Sequence, residues 1–340
     1  MNANARKLGH LEHALNQPAQ PNAFDRVRLR HSALPECDLN AIDLGTPFLN
    51  RQIAAPLFVS SMTGGPQQAE RINRHLAEAC SEMKLAMGVG SQRIGIQDGQ
   101  VAGLNYSIRQ AMGNQPLLAN FGAVNLQHLS AIEDLGAILE PIEADGLILH
   151  LNPMQEVFQS AGDTDWRGVL DRIQAVCHWS PVPVIVKEVG FGLDEATAKR
   201  LLEAGVHILD VAGRGGTRFD DIEISMNQNQ DLLSSSSVFS GWGYSTVECL
   251  MTLSGKLPGA SLWASGGIRN GHDVVKALCL GAECAGMAGA LLPSAMISTE
   301  AVLKMMHTTL TEMRIACFGM GVERIRDLDQ TYIWEVDNGH

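Results

Sequence analysis

Four times along this chain an amphipathic stretch closes on Ala or Gly and passes straight into a short, apolar run. The units are Met83-Lys-Leu-Ala-Met-Gly88, Glu143-Ala-Asp-Gly-Leu-Ile-Leu149, Glu203-Ala-Gly-Val-His-Ile-Leu-Asp-Val211 and Leu280-Gly-Ala-Glu-Cys-Ala-Gly-Met287. The small residue ends a helix and lets the backbone turn sharply. The run that follows lacks polar alternation, as expected of a strand covered on both faces. Further strands are expected at 56–60, 116–121, 182–188 and 261–265. Between them, Trp166, Val169, Leu170, Ile173 and Val176 recur at helical spacing, and 195–204 reads as a second helix stopped by Gly205.

Strands alternating with helices over most of the 340 residues predict an α/β fold, a closed (β/α)8 TIM barrel forming a single domain over 1–340. A doubly wound open sheet is the alternative, but no Gly-x-Gly-x-x-Gly follows the first strand, where that fold needs one. Two regions stand outside the repeat. Residues 1–51 read as an irregular N-terminal arm. Residues 214–242, rich in Ser, Asn and Asp, read as a long loop after strand 6, either a lid or disordered.

A net charge of −12 argues against partners held by bulk positive charge, so neither nucleic acid nor an anionic membrane surface is expected. No apolar run approaches the ~18 residues of a membrane span. The seven cysteines form no Cys-x-x-Cys pair and sit mostly among apolar residues. Reduced thiols in a cytoplasmic protein are therefore expected.

The chemistry-bearing residues fall at the ends of the expected strands. The run His150-Leu-Asn-Pro-Met-Gln-Glu156 follows an apolar strand with an imidazole, two amides and a carboxylate. These groups suit an anion gripped through a divalent cation, with Glu156 on the metal and His150, Asn152 and Gln155 hydrogen-bonding the anion. Ser265-Gly-Gly-Ile-Arg269 and Gly286-Met-Ala-Gly-Ala290 follow the last two strands, where glycine turns let backbone N–H groups cradle a phosphate. Gly215, Gly216 and Thr217 could reach the same phosphate; the glycines could equally make tight turns alone. Lys187 ends strand 5 and could stabilise negative charge on a cofactor ring, or pair structurally with Glu188 or Asp210. Ser61, Met62, Thr63 and Asn120 offer hydrogen bonds and a soft apolar face to a heterocycle, and Ser91, Gln92 and Arg93 end strand 2. Arg6, Lys7 and His10 form a cationic cluster in the arm, either a solvated tail or a clamp for a second anion. One phosphate cradle, a ring pocket and a buried lysine fit a flavin mononucleotide. The remaining cations and Glu156 then need a second, phosphorylated ligand.

With these residues in place, the chain resembles the flavin-dependent, type 2 isopentenyl-diphosphate isomerases along nearly its whole length. The resemblance rests on Arg6-Lys7-Leu-Gly-His10, Ser61-Met-Thr-Gly-Gly65, Met87-Gly-Val-Gly-Ser-Gln-Arg93, Asn120-Phe-Gly122, the 150–156 run, Lys187-Glu-Val-Gly190, Gly213-Arg-Gly-Gly-Thr217, Trp242-Gly243 and Ser265-Gly-Gly267. It implies interconversion of isopentenyl and dimethylallyl diphosphate in isoprenoid biosynthesis, with FMN, Mg2+ and NADPH to keep the flavin reduced. It places Ser61, Met62, Thr63, Ser91, Asn120, Lys187, Thr217, Gly266, Gly267, Arg269, Ala288 and Gly289 on FMN. Arg6, Lys7, His10, Ser91, Gln92, Arg93, His150, Asn152 and Gln155 line the diphosphate substrate, with Glu156 on magnesium. The 214–242 stretch departs most from the family pattern.

A 1,3-proton shift needs one proton delivered and another removed through a cation-like transition state. Glu156 being committed to metal, reduced FMN is the expected acid/base, with Gln155 as the catalytic side chain beside the reacting carbon. The competing readings are an FMN-dependent oxidoreductase of the hydroxy-acid oxidase or dihydroorotate oxidase type, and a non-catalytic nucleotide-sensing barrel. A homo-oligomer, tetramer or octamer, is expected.

Overall fold

Eight apolar runs become eight parallel strands that close on themselves: β1 Leu57–Val59, β2 Ala86–Gly88, β3 Leu117–Gly122, β4 Gly146–Leu151, β5 Val184–Glu188, β6 Ile208–Asp210, β7 Ser261–Ala264 and β8 Cys284–Met287. Each strand pairs with its sequence neighbours, and β8 pairs with β1 to close the barrel. The computed structural model describes residues 9, 13–18, 20–62, 67–93, 96, 105–257 and 259–337. The expected barrel is therefore observed, every strand lying where the sequence predicts one.

Side chains alternate along a strand, and this divides the barrel interior into two layers. The lower layer takes one residue from each strand: Phe58, Ala86, Leu118, Ile148, Ile185, Ile208, Trp263 and Cys284. Large Phe58 and Trp263 are accommodated by small Ala86, Cys284 and Gly286; a Cβ on Gly286 would lie 2.6 Å from Phe58 Cζ. Two residues further along the same strands stand Ser60, Gly88, Asn120, His150, Lys187, Asp210, Ser265 and Gly286. Within one pleat the interior changes from hydrocarbon to hydrogen-bonding groups. The intervening residues, such as Val59, Leu149, Val186 and Leu209, face outward into the helix-covered core.

The described part of the N-terminal 51 residues is more regular than expected. Val27–Leu29 pairs antiparallel with Ile333–Val336, tying the start of the barrel domain to its C-terminal strand. Thr46–Phe48 and Arg51–Ile53 form a hairpin that closes the barrel floor. Phe48 from this hairpin stacks on Trp263 with ring centroids 4.6 Å apart. Arg51 fixes the hairpin to Asp145 at 2.7 Å, and Asp145 also receives Arg109 at 3.1 Å. Short strands of this kind take their order from partners distant in sequence, which local pattern does not reveal.

The 214–242 stretch is also regular, neither a bare loop nor disordered. It carries helices Phe219–Met226 and Gln230–Ser236 and a 3-10 turn Ser237–Phe239. Asn229 caps the second helix by accepting from Asp231 N at 3.0 Å. The serines that suggested a loop fold their hydroxyls back on preceding carbonyls: Ser235 Oγ donates to Asp231 O at 2.9 Å and Ser236 Oγ to Leu233 O at 2.8 Å. No helix among the described residues is long and apolar enough to cross a membrane. All seven cysteines are free thiols, five of them buried.

Candidate active site

The polar layer opens at the C-terminal ends of the strands into a cavity of about 570 Å3. It is large enough for a nucleotide-sized ligand. Three glycine-rich turns form one wall, after β6, β7 and β8. They pack where side chains would not fit: a Cβ on Gly216 would lie 2.9 Å from Gly267 N, and one on Gly289 3.1 Å from Thr217 Oγ1. Gly266 and Gly267 have φ of +84° and +80°, which glycine adopts without the strain of a Cβ. Thr246 joins the first two turns, its Oγ1 accepting from Gly213 N at 3.1 Å and donating to Gly266 O at 2.6 Å. Asp210 holds the start of the second turn, receiving Ser265 N at 2.8 Å and Ser265 Oγ at 2.9 Å.

The floor is electrostatically constrained. Lys187 is buried, and Nζ donates to the Glu188 carbonyl at 2.6 Å. Burial holds its pKa below the ordinary lysine value, against the opposing pull of Asp210 and Glu188. Burial raises Asp210 and takes Glu188 up to about 7. Glu188 Oε2 nevertheless gathers Val189, Gly190, Phe191 and Gly192 N–H groups at 2.5–3.2 Å, shaping the turn after β5. Asn120 Nδ2 donates to Val89 O at 3.1 Å, which leaves its Oδ1 facing His150 Nδ1 at 2.8 Å. The hydrogen on that contact must therefore belong to Nδ1, leaving Nε2 of His150 as an acceptor. Burial, reinforced by the Lys187 charge, pushes the imidazole pKa down to about 3, so the ring is neutral.

Opposite the glycine turns, helix Pro153–Phe158 follows β4 and presents three of the expected side chains. Asn152 Nδ2 donates to Glu156 Oε1 at 2.8 Å, and Glu156 Oε2 receives Gln159 Nε2 at 3.0 Å and Asp163 N at 2.8 Å. Three donors leave the carboxylate one of its roughly four lone-pair directions, on Oε1. Gln155 Oε1 lies 3.3 Å from Asn152 Nδ2, and Gln155 Nε2 donates to Glu223 Oε1 at 2.9 Å. Glu223 is the acid that sequence reading missed. It is 2% exposed and sits on helix Phe219–Met226 beside buried Ile222. Its signal was available: Phe219, Ile222, Glu223 and Met226 share the i, i+3, i+4, i+7 face, so a carboxylate stands at a core position.

The cavity brings together Ser61, Met62, Ser91, Arg93, Asn120, His150, Asn152, Gln155, Glu156, Lys187, Thr217, Gly266, Gly267, Arg269, Ala288 and Gly289. Two expected residues behave differently. Gln92 is 1% exposed and lies outside the lining; its Oε1 accepts from Asn120 N at 3.1 Å and Nε2 donates to Ile138 O at 3.2 Å. These contacts brace β3. Arg269 reaches the lining, but Asp25 and Asp273 take its guanidinium at 2.5 and 2.9 Å. Arg93 stays at the rim, donating to Asn125 Oδ1 at 2.8 Å. Arg6, Lys7, His10 and Thr63 lie outside the described residues.

Of the four buried polar side-chain atoms that lack a partner among the described residues, two, Ser61 Oγ and Asn152 Oδ1, belong to residues lining this cavity. Such atoms cost free energy unless a ligand satisfies them. With a glycine wall without room for Cβ atoms and a buried lysine, this donor set fits a phosphorylated flavin. Among the described residues no group of three or more His, Cys, Asp or Glu is placed to hold a metal ion.

The family model for FMN-dependent dehydrogenases matches residues 147–335, more than half of the chain. The isopentenyl-diphosphate delta-isomerase of Vibrio campbellii is 44% identical over 320 residues, covering 94% of each chain. That of Pseudescherichia vulneris is 45% identical over 332 residues, covering 96% of each. Among solved structures, a flavocytochrome b2 variant with sulfite bound superposes with a TM-score of 0.69 at 19% identity, covering 95% of this chain and 82% of that one. An (S)-mandelate dehydrogenase gives 0.70 at 15% identity, covering 98% of this chain and 99% of its own. At such low identity these two speak to the barrel alone. The extended matches at 44% and 45% identity carry more: this chain belongs to the isopentenyl-diphosphate delta-isomerase family.

Proposed function

We propose that this protein interconverts isopentenyl and dimethylallyl diphosphate by a 1,3-proton shift, using reduced FMN and Mg2+, with NADPH as the flavin's reductant. The observation that carries this reading is Gln155, its Nε2 held by buried Glu223 outside the lining, beside the Asn152–Glu156 contact in one cavity shared with the glycine wall. Ser61, Met62, Ser91, Asn120, Lys187, Thr217, Gly266, Gly267, Ala288 and Gly289 hold FMN. His150, Asn152, Gln155 and Arg93 face the substrate, and Glu156 takes one position on magnesium, the diphosphate supplying others.

Bound reduced FMN supplies an electron-rich ring and a ring nitrogen able to act as acid. Lys187 counters negative charge on the cofactor side of the mouth. Gln155 is pinned at both ends, to Asn152 and Glu223, so its amide is held in one orientation. Glu223 Oε1 can hold a proton within reach of that amide, and its carboxylate favours a cation-like transition state over the neutral substrate. A diphosphate near His150 Nε2 favours the imidazolium, so binding draws a proton onto the ring.

The oxidoreductase alternative needs a strong base to remove a substrate proton. In the unliganded mouth burial and the Lys187 charge lower the pKa of His150, which disfavours that role. The decisive experiment measures flavin absorbance and then isomerisation with Mg2+, with and without reductant. Turnover only with reduced flavin is expected; full turnover with oxidised flavin, or none with reduced, would overturn the assignment. The free thiols fit a cytoplasmic setting. Exposed Val238, Trp242, Tyr244 and Trp334 offer apolar area for the homo-oligomer, tetramer or octamer, which light scattering would size.

A further inference from the structure

Asn22 lies 245 residues before Gly267, yet its side chain enters the glycine wall. It is 5% exposed, and Nδ2 donates to Gly267 O at 2.6 Å. Its Oδ1 accepts from Phe24 N at 3.0 Å, capping the 3-10 turn Ala23–Arg26. That turn is anchored independently. Phe24 is 1% exposed, Lys276 Nζ donates to Phe24 O at 2.7 Å, and Asp25 pairs with Arg269. The amide of Asn22 thus works from a fixed base.

Space around it is exhausted. A Cβ on Gly215 would lie 3.2 Å from Asn22 Oδ1, and one on Gly267 3.1 Å from Asn22 Nδ2. Among the described residues no peptide bond is cis, so the carbonyl of Gly267 and the N–H of Ile268 point in opposite directions. Drawing the carbonyl toward Asn22 turns that N–H away from it, and Ile268 lines the cavity. An oriented N–H in a glycine turn is what a phosphate dianion requires.

We propose that Asn22 is a positioning residue of the FMN phosphate cradle, fixing the 267–268 peptide so that its N–H meets the phosphate. The inference rests on the flavin reading of this mouth. It makes the 20–26 segment part of the cofactor site, not only a brace for the barrel.

The test uses the full chain freed of flavin, titrated with FMN and with riboflavin, which lacks the phosphate, by flavin fluorescence. Asn22→Asp and Asn22→Ser both keep an oxygen to cap Phe24 N–H but lose the amide donor. Melting of the flavin-free chains is the folding control. A rise of about tenfold or more in the FMN Kd, with riboflavin changed by less than about twofold, is expected for both variants. FMN binding within about twofold of wild type, or equal losses for the two flavins, would overturn the role. If the wild-type chain bound no FMN, the cofactor reading would fail and the role of Asn22 with it; normal wild-type binding with unaltered variants removes only the latter.

Discussion

Replacing Glu223 by Gln tests whether the buried carboxylate moves a proton or merely fills space. The amide is nearly isosteric and keeps an oxygen to accept from Gln155 Nε2, now at 2.9 Å. The contact with Gln155 should therefore survive in the ground state. What disappears is the ability to take up a proton at this position and the negative charge facing a cationic transition state. General acid/base groups contribute about 10²–10⁴ in rate, so Glu223→Gln is predicted to lower kcat by about 10²–10³, or roughly 3–4 kcal/mol of barrier. Isomerisation is followed with chemically reduced FMN and saturating Mg2+, alongside FMN Kd, substrate KM and melting temperature. Because Gln155 and Glu223 touch, the Gln155→Ala, Glu223→Gln pair should cost less than the sum of its singles. A Glu223→Gln enzyme turning over within about threefold of wild type, with both ligands bound normally, would refute the acid/base role.

Three further outcomes follow from the same geometry. The folded pKa of His150, about 3, lies below the unfolded value of 6.5, so its contribution is fully present above pH 6.5 and is lost as pH falls toward 3. Between pH 7.5 and 5.0 the flavin-free wild type should lose about 2 kcal/mol more stability than His150→Gln in urea unfolding; equal losses would contradict the neutral buried ring. Mg2+ should bind weakly to the chain alone and at least about tenfold more tightly with inorganic diphosphate in calorimetry, and Glu156→Ala should abolish that coupling; tight binding without diphosphate would be contrary evidence. Phe48→Ala removes the ring stacked at 4.6 Å on Trp263 and should cost about 3–5 kcal/mol in chemical denaturation; a loss under about 1 kcal/mol would show that the hairpin does not seal the barrel.

The barrel was legible because its signal is local and repeated. Each apolar run is long enough to declare a doubly covered strand, and each small residue marks the helix end before it. The site was legible for a related reason: Asn120, His150, Lys187 and Ser265 stand two residues beyond apolar Leu118, Ile148, Ile185 and Trp263, and strand alternation carries them to the same interior. Two kinds of feature escaped. The Val27–Leu29 strand and the 46–53 hairpin depend on partners hundreds of residues away or on filling the barrel floor. Glu223 escaped because the composition of 214–242 reads as loop, which masks the short helical period of Phe219, Ile222, Glu223 and Met226 within it. Gln92 and Arg269 show what strand-end position alone does not reveal: Gln92 lies outside the lining with its amide on Ile138, and Arg269 lines the cavity while its guanidinium meets Asp25 and Asp273.

The two-layer interior also explains how one cavity tolerates so many ionisable groups. Lys187, Asp210, Glu188, Glu156 and Glu223 are all buried around it. Burial opposes the charged forms of three of them, lowering Lys187 and raising Asp210 and Glu188. Left to themselves, such groups favour local opening that admits water. One pleat below, Phe48, Phe58 and Trp263 form a packed aromatic cluster against Ile148, Ile185 and Ile208, with no polar side chain among the ten residues of that group. This plug cannot hydrate without losing its burial, so the strand ends above it are held at fixed spacing even when charge repels them. The desolvation strain then persists in the unliganded mouth and is relieved only by ligands that bring opposite charge or hydrogen bonds. Affinity for flavin phosphate and metal diphosphate is thus coupled to the stability of the upper layer, and softening the aromatic plug should weaken the mouth's preorganisation before it unfolds the barrel.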